Sequence, residues 1–202
     1  QDSSFAGAVT AQGNQDGNGK GDFYYAPPSG YLALCTDNLS TPEIKLPGKH
    51  FDTALYTGNG TAIGSGGLTV SGLSFQPDMT WIKERTQIRN HNLFDSVRGV
   101  TKFLAPDEAD AAITNTESLT SWTSSGFTLG DRVSVNDSGE SFASWNWKKS
   151  ATAGFDIVAY TGNGAARTIS HSLGVVPELI IIKGRDVVED WLVGSVQQGL
   201  GT

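Results

Sequence analysis

Apolar and polar residues alternate with a period of two along Phe51–Thr57. Phe51, Thr53, Leu55 and Thr57 fall on one side, and Asp52, Ala54 and Tyr56 on the other. The same register returns at Phe155, Ile157 and Ala159 against Asp156, Val158 and Tyr160. Period two with aromatic and β-branched residues predicts a strand in each place. Asn59-Gly60 and Asn163-Gly164 follow, where the backbone accepts positive φ and the strands end. Further on, MTWIK (Met79–Lys83) and LIIIK (Leu179–Lys183) are apolar runs closed by a lysine, read as buried strands that leave the core at the lysine. Pro77 and Pro177 precede these runs, where a missing N–H costs least.

These patterns belong to a duplication. FDTALYTGNG, Phe51 to Gly60, returns as FDIVAYTGNG, Phe155 to Gly164, with seven of ten positions identical. GLSFQPDMTWIKER, Gly72 to Arg85, is matched by SLGVVPELIIIKGR, Ser172 to Arg185. The first pair is offset by 104 residues and the second by 100, so the second copy has a loop four residues shorter between them.

Other stretches are less regular. Asp22–Ala26 and Tyr31–Cys35 read as short strands around a Pro-Pro-Ser-Gly turn. Leu93–Leu104 has apolar positions near helical spacing, but Gly99 and two valines leave a bent strand equally compatible. Pro106–Ala112 fits one or two helical turns. Ser118–Gly130 reads as strand, turn, strand. Arg132–Lys148 reads as a hairpin turning at Asn136–Gly139, with Ala143, Trp145 and Trp147 on one face of its return strand. The expected fold is all-β, with β-sandwich or jelly-roll modules in tandem. Expected boundaries are 1–40, a linker at 41–50, a complete unit at 51–150 and an incomplete second copy at 151–202. A half-unit exposes a sheet edge, so further chain or partner chains are expected to cover it.

Composition agrees with this reading. Of 202 residues, 17% are charged and 25 are glycine, so hydroxyls and amides solvate the surface. The net charge of −7 opposes binding to a phosphate backbone, and no nucleic-acid partner is expected. No apolar run reaches membrane-spanning length, so no membrane insertion is expected. The lone Cys35 excludes an internal disulfide, and YLALC around it predicts a buried thiol.

Candidate chemistry is sparse. His50, His91 and His171 have no zinc spacing, and TGNG lacks the Lys-Ser/Thr end of a phosphate loop. No cofactor is expected. Asp16, Asn18 and Asp22 alternate through a Gly-rich loop and form the candidate calcium site, but position twelve from Asp16 is Pro27 instead of glutamate. Asp107, Glu108 and Asp110 form an acidic turn. Trp81 and one of Trp145 and Trp147 are assigned to the core, and Trp122 is the candidate ligand-stacking platform. Arg85 and Arg98 are expected to pair with a carboxylate such as Asp95 or Asp78.

FDTALYTGNG, QPDMTWIKER, HNLFDSVRGVTKFL, SSGFTLG and VNDSGESFASWNWK, followed by the restarted FDIVAYTGNG, resemble a repeated domain of large tail and fibre proteins of marine bacteriophages, especially those of cyanobacteria. FYYAPPSGYLALC resembles the closing segment of a SPRY-like jelly roll that precedes this domain. The resemblance spans essentially the whole chain. The second copy departs from it, since GVVPELIIIKGRDVVEDWLVGS lacks the LFDSVRG phrase and is read as truncated or diverged. The resemblance implies a non-enzymatic virion component in a tail fibre or similar appendage. It further implies a homotrimer that contacts other virion proteins; it establishes no ligand, and host surface glycan is the partner class expected for an attachment role. The alternatives are a glycan depolymerase whose active site lies outside this segment and a secreted lectin-like adhesin.

Overall fold

The computed structural model describes residues 10–199, which fall into two compact units, one up to Lys45 and one from Leu46. The fold is mostly β, with three sheets and one four-residue α-helix among the described residues.

In the first unit, the pairing is reduced to an isolated antiparallel bridge between Asn14 and Phe23 and a 3-10 turn at Thr36–Asn38. The strands expected at Asp22–Ala26 and Tyr31–Cys35 do not form. Side-chain hydrogen bonds organise this segment instead, and Cys35 is half-buried where a fully buried thiol was expected.

The second unit contains both copies of the duplicated phrase. Its main sheet runs in the order β1 (Phe51–Thr57), β9 (Ser141–Trp147), β3 (Met79–Glu84), β4 (Asn92–Asp95), β5 (Lys102–Leu104) and β6 (Ile113–Thr114), all antiparallel. A second sheet runs β2 (Leu68–Ser71), β8 (Gly126–Leu129), β7 (Leu119–Thr123). The third is the hairpin β10 (Leu179–Ile182) and β11 (Leu192–Ser195).

The nine-residue core is drawn from both larger sheets. Ile82, Phe94, Phe103 and Phe142 come from the six-stranded sheet, and Val70, Leu119, Phe127 and Leu129 from the three-stranded one. Val135 comes from α1 (Val133–Asn136). Tyr56 stacks on Phe142 with ring centroids 5.1 Å apart and donates its hydroxyl to Val135 O at 2.8 Å. The inward face also carries polar groups that satisfy one another. Thr80 donates to Asn146 Oδ1 at 2.9 Å, Asn146 Nδ2 reaches Ser144 Oγ at 3.1 Å, and Ser134 donates to Asn92 Oδ1 at 3.1 Å. On the inward face of β3, Glu84 is an exception. Its carboxylate is buried without a hydrogen bond, 3.5 Å from Arg89 Nε. Burial raises its pKa, Arg89 pulls it down, and Asp137 and Glu140 push it up again.

Two sequence expectations change here. Arg132–Lys148 is not a hairpin, because Val133–Asn136 closes into α1 and buries Val135 against the core. β9 instead inserts between β1 and β3, gaining a ladder on both sides where a local hairpin offers one. Leu93–Leu104 resolves as the hairpin β4–β5. Its turn is fixed by Arg98, whose guanidinium pairs with Asp95 and donates to Leu93 O at 2.8 Å, and by Gly99 at φ 86°. The Arg98 partner matches the sequence expectation. Asp78 instead accepts from Ser96 Oγ and Lys149 N, both at 2.9 Å. Pro106–Ala112 forms no helical turn: Pro106 and Asp107 make a turn, Glu108 a bend, and the rest is irregular.

The second copy keeps the hairpin but not the first strand. β10 and β11 pair as Leu179↔Ser195 and Ile182↔Leu192, and β3 and β4 as Met79↔Asp95 and Ile82↔Asn92. Each residue number differs by 100, so Leu192–Ser195 stands where NLFD stands in the first copy although the LFDSVRG letters are gone. The phrase from Phe155 forms no strand. Its described backbone pairing is a single bridge from Phe155 to Ser150.

Candidate functional site: the outward face of the main sheet

β9 places Ala143, Trp145 and Trp147 on one face and Phe142, Ser144 and Asn146 on the other, as the alternation predicts. The three-stranded sheet and α1 cover the Phe142 side. The tryptophans therefore point away from the core. Antiparallel register then brings Trp145 beside Trp81 and Thr53, and Trp147 beside Phe51 and Met79. Trp81 and Trp145 meet edge to face at 6.3 Å, Phe51 lies 5.0 Å from Trp147, and Phe155 stacks on Trp147 at 6.2 Å. These tryptophans are half-buried, and Phe51 and Leu55 at the sheet edge are exposed.

Polar groups fix the rings. Trp81 Nε1 donates to His91 Nδ1 at 2.8 Å. Burial lowers the His91 pKa, the Asp107 charge raises it and Lys83 lowers it, so the net shift keeps the imidazole neutral and its Nδ1 able to accept. His91 N in turn donates to Asp107 Oδ1 at 3.0 Å, and Asn90 Nδ2 to Glu108 Oε1 at 3.2 Å. The acidic turn thus positions the start of β4. Glu108 O also accepts the indole N–H of Trp191 at 3.0 Å, and Ala109 O accepts Glu189 N at 3.0 Å, tying the second copy to the same turn. The arrangement presents flat apolar rings, Trp81 held by its hydrogen bond and Trp145 and Trp147 by ring contacts, suited to stacking on an apolar ring face.

The other sequence-derived candidates lie elsewhere. Trp122 packs against the core cluster, with its indole nitrogen buried and unpartnered, and takes no part in the aromatic face. Asp16 is buried and accepts from Asn18 N, Lys20 N, Ala33 N and Asn38 Nδ2 at 2.9, 2.9, 2.7 and 2.6 Å. Burial alone would raise its pKa, but these four donors outweigh it and lower it to about 2. Asn18 turns its amide to Asn38, and Asp22 accepts from Gly13 N. Nitrogen donors therefore surround the carboxylate where calcium would need oxygens, so the three residues serve here as the tie points of the loop. Sequence reasoning missed Trp145, Trp147, Phe51 and His91 as site residues, and gave Trp81 and one of the other two tryptophans to the core. The shared face of Trp145 and Trp147 was readable, but its direction was set by α1 and the three-stranded sheet.

Comparisons with curated proteins and with solved structures find no match. A family model described as Domain of unknown function (DUF7483) matches residues 46–201, running through both copies of the duplicated phrase. The chain belongs to the DUF7483 family of domains of unknown function.

Proposed function

We propose that this chain is a non-enzymatic component of a bacteriophage virion, built into a tail fibre or similar surface appendage, where it contributes to host attachment. Its modules are β-sandwiches in this reading, with the six- and three-stranded sheets as the two layers of the complete one. The observation that carries the attachment role is the outward aromatic face, where Trp81, Trp145 and Trp147 offer indole rings beside the exposed Phe51. Pre-positioned rings of this kind favour the apolar faces of sugar rings, and host surface glycans are the ligand class. The phage-tail resemblance supplies the virion setting and the homotrimeric assembly.

The test incubates the purified protein with bacterial cells and with extracted envelope polysaccharide. Saturable binding that weakens at least tenfold in Trp145→Ala and is unchanged in Ile88→Ala, a fully exposed control, is the expected result. Circular dichroism checks that both variants are folded. Release of shorter oligosaccharides would overturn the non-enzymatic reading in favour of a depolymerase. Absence of cell binding would overturn the attachment role and leave a spacer.

A further inference from the structure

Of the tryptophans on the aromatic face, Trp81 has a hydrogen bond to hold its ring. Its Nε1 donates to His91 Nδ1 at 2.8 Å, with the two rings edge to face at 5.7 Å. The same indole meets Trp145 edge to face at 6.3 Å. We propose that His91 is a proton-operated latch on this face. The neutral imidazole holds the Trp81 indole in place, and the imidazolium releases it. The consequence for binding rests on the aromatic face being the glycan-contacting surface; the latch itself does not.

The two states exclude each other at a single lone pair. A neutral imidazole has one N–H and one acceptor nitrogen. Trp81 occupies the acceptor at Nδ1, so the ring hydrogen sits on Nε2. A proton arriving from solvent must add to that same Nδ1, and the imidazolium is then a donor at both nitrogens. The indole N–H is a donor with no acceptor capacity. Two N–H groups would face each other, so the contact breaks. His91 is half-buried and within reach of solvent protons.

The surrounding charges set the direction of the switch. Asp107, on the acidic turn, accepts His91 N at 3.0 Å, and Lys83 lies on β3. Burial lowers the imidazole pKa most, Asp107 raises it and Lys83 lowers it, for a net value below the ordinary 6.5. The other charged groups nearby are taken up elsewhere. Glu108 accepts from Asn90 Nδ2 at 3.2 Å, and Arg89 faces Glu84 and Asp137. The latch is therefore shut at neutral pH and opens on acidification. Asp107 then offers the freed imidazolium a carboxylate to turn to.

The hairpin itself does not need this pair. In the second copy Ile181 and Trp191 stand where Trp81 and His91 stand in the first, and β10 and β11 still pair in the same register as β3 and β4. The indole–imidazole bond therefore belongs to the aromatic face and not to the hairpin fold.

The test follows the Trp81 indole N–H resonance of the isotope-labelled full chain by NMR across a pH series, with Trp81→Phe identifying the signal. The resonance should move in one step with a midpoint below 6.5, and its exchange with water should quicken below that step. His91→Gln should remove the step. Asp107→Asn should shift it to lower pH, since the aspartate charge favours the imidazolium while an amide oxygen still accepts His91 N. Affinity for extracted envelope polysaccharide should fall by roughly fivefold through the same midpoint, about the worth of one neutral hydrogen bond, and this fall should vanish in His91→Gln. The wild-type titration decides the matter even if a variant misfolds. An indole signal that does not titrate, or that titrates unchanged in His91→Gln, would overturn the latch. A signal that titrates while polysaccharide affinity stays constant would overturn its control of binding. Polysaccharide that binds at no pH would overturn the glycan reading, and the indole titration would still decide for or against the latch.

Discussion

The two copies of FDxxxYTGNG share their local geometry and differ in everything beyond it. In both, the aspartate accepts the next residue's N–H, Thr53 or Ile157, at 2.8 Å. In both, the loop asparagine accepts from two residues on, Thr61 at 2.9 Å and Ala165 at 3.1 Å, and its glycine sits at φ 62° or 72°. Yet Phe51–Thr57 is a seven-residue strand paired throughout with β9, and Phe155–Thr161 is not a strand. Ten nearly identical residues thus specify a turn by themselves. They specify a strand only when a distant segment supplies the ladder, as expected where β propensity reflects pairing and burial more than the backbone alone.

The comparison is sharpest at the isoleucines of the repeated hairpin. Ile82 is fully buried in the core, whereas Ile182 is half-buried beside exposed neighbours. Ile82→Ala should cost about 2–5 kcal/mol of unfolding free energy through lost burial and the cavity left behind. Ile182→Ala should cost about 1 kcal/mol or less. Urea titration followed by tryptophan fluorescence measures both. Equal losses would mean that the second hairpin is buried as deeply as the first.

The glycines come next. A Cβ built on Gly58 would lie 2.0 Å from Asp137 O and 2.9 Å from Asn136 C, because the first TGNG loop is clamped against the end of α1. Gly58 N donates to Glu140 O at 2.9 Å, and Asn59 N to Asn136 Oδ1 at 2.7 Å. Around Gly162 a Cβ meets nothing within 4 Å. Gly58→Ala should therefore destabilise by about 1–3 kcal/mol, since backbone must move to admit the methyl. Gly162→Ala should fall within about 0.5 kcal/mol of wild type. Thermal melts of the two variants side by side decide this, and a destabilised Gly162→Ala would show that the second loop is also clamped.

The sequence was legible where one segment carries its own pattern and a ladder is there to receive it, which Phe155–Thr161 lacks. The β1, β3 and β10 strands follow from alternation or apolar runs, β7–β8 from its Ser-Ser-Gly turn, and the two faces of β9 from their period of two. It was illegible where the outcome depends on distant residues. SVNDSGESFASWNW looked like a local hairpin, but β9 finds longer ladders on β1 and β3. The side of the sheet that becomes core is chosen by Phe127, Leu129 and Val135, which cover the Phe142 face and leave Trp145 outside. Trp122 stands opposite Phe127 in its own hairpin, but the core it packs against also draws on strands remote in the chain. Asp16 was noticed for its oxygen spacing, but its partners Ala33 and Asn38 lie far along the chain from it.

The smallest expected effect lies at the paired aspartates. Beyond its own Ile157 N–H, Asp156 accepts from Ser172 N at 2.7 Å and Ser172 Oγ at 2.8 Å, and pairs with Lys149 Nζ at 3.0 Å. Burial raises its pKa, but the Ser172 and Ile157 N–H groups, the Ser172 hydroxyl and Lys149 outweigh that and hold it well below its ordinary 3.8. A depressed folded-state pKa contributes stability that is full above the ordinary value. That contribution is lost as pH falls from there through the folded pKa. Asp156→Asn should therefore speed exchange of the Ser172 amide at about pH 6, with the difference from wild type shrinking below about pH 4. The effect should stay local, because no ladder joins Phe155–Thr161 to the main sheet, and exchange within Phe51–Thr57 should be unchanged. Exchange protection factors across the pH series test both points. A difference that persists undiminished in acid would show that the Asp156 charge is not what ties Ser172 in place. Faster exchange in Phe51–Thr57 would show that Phe155–Thr161 is coupled to the main sheet through more than its contacts at Lys149 and Trp147.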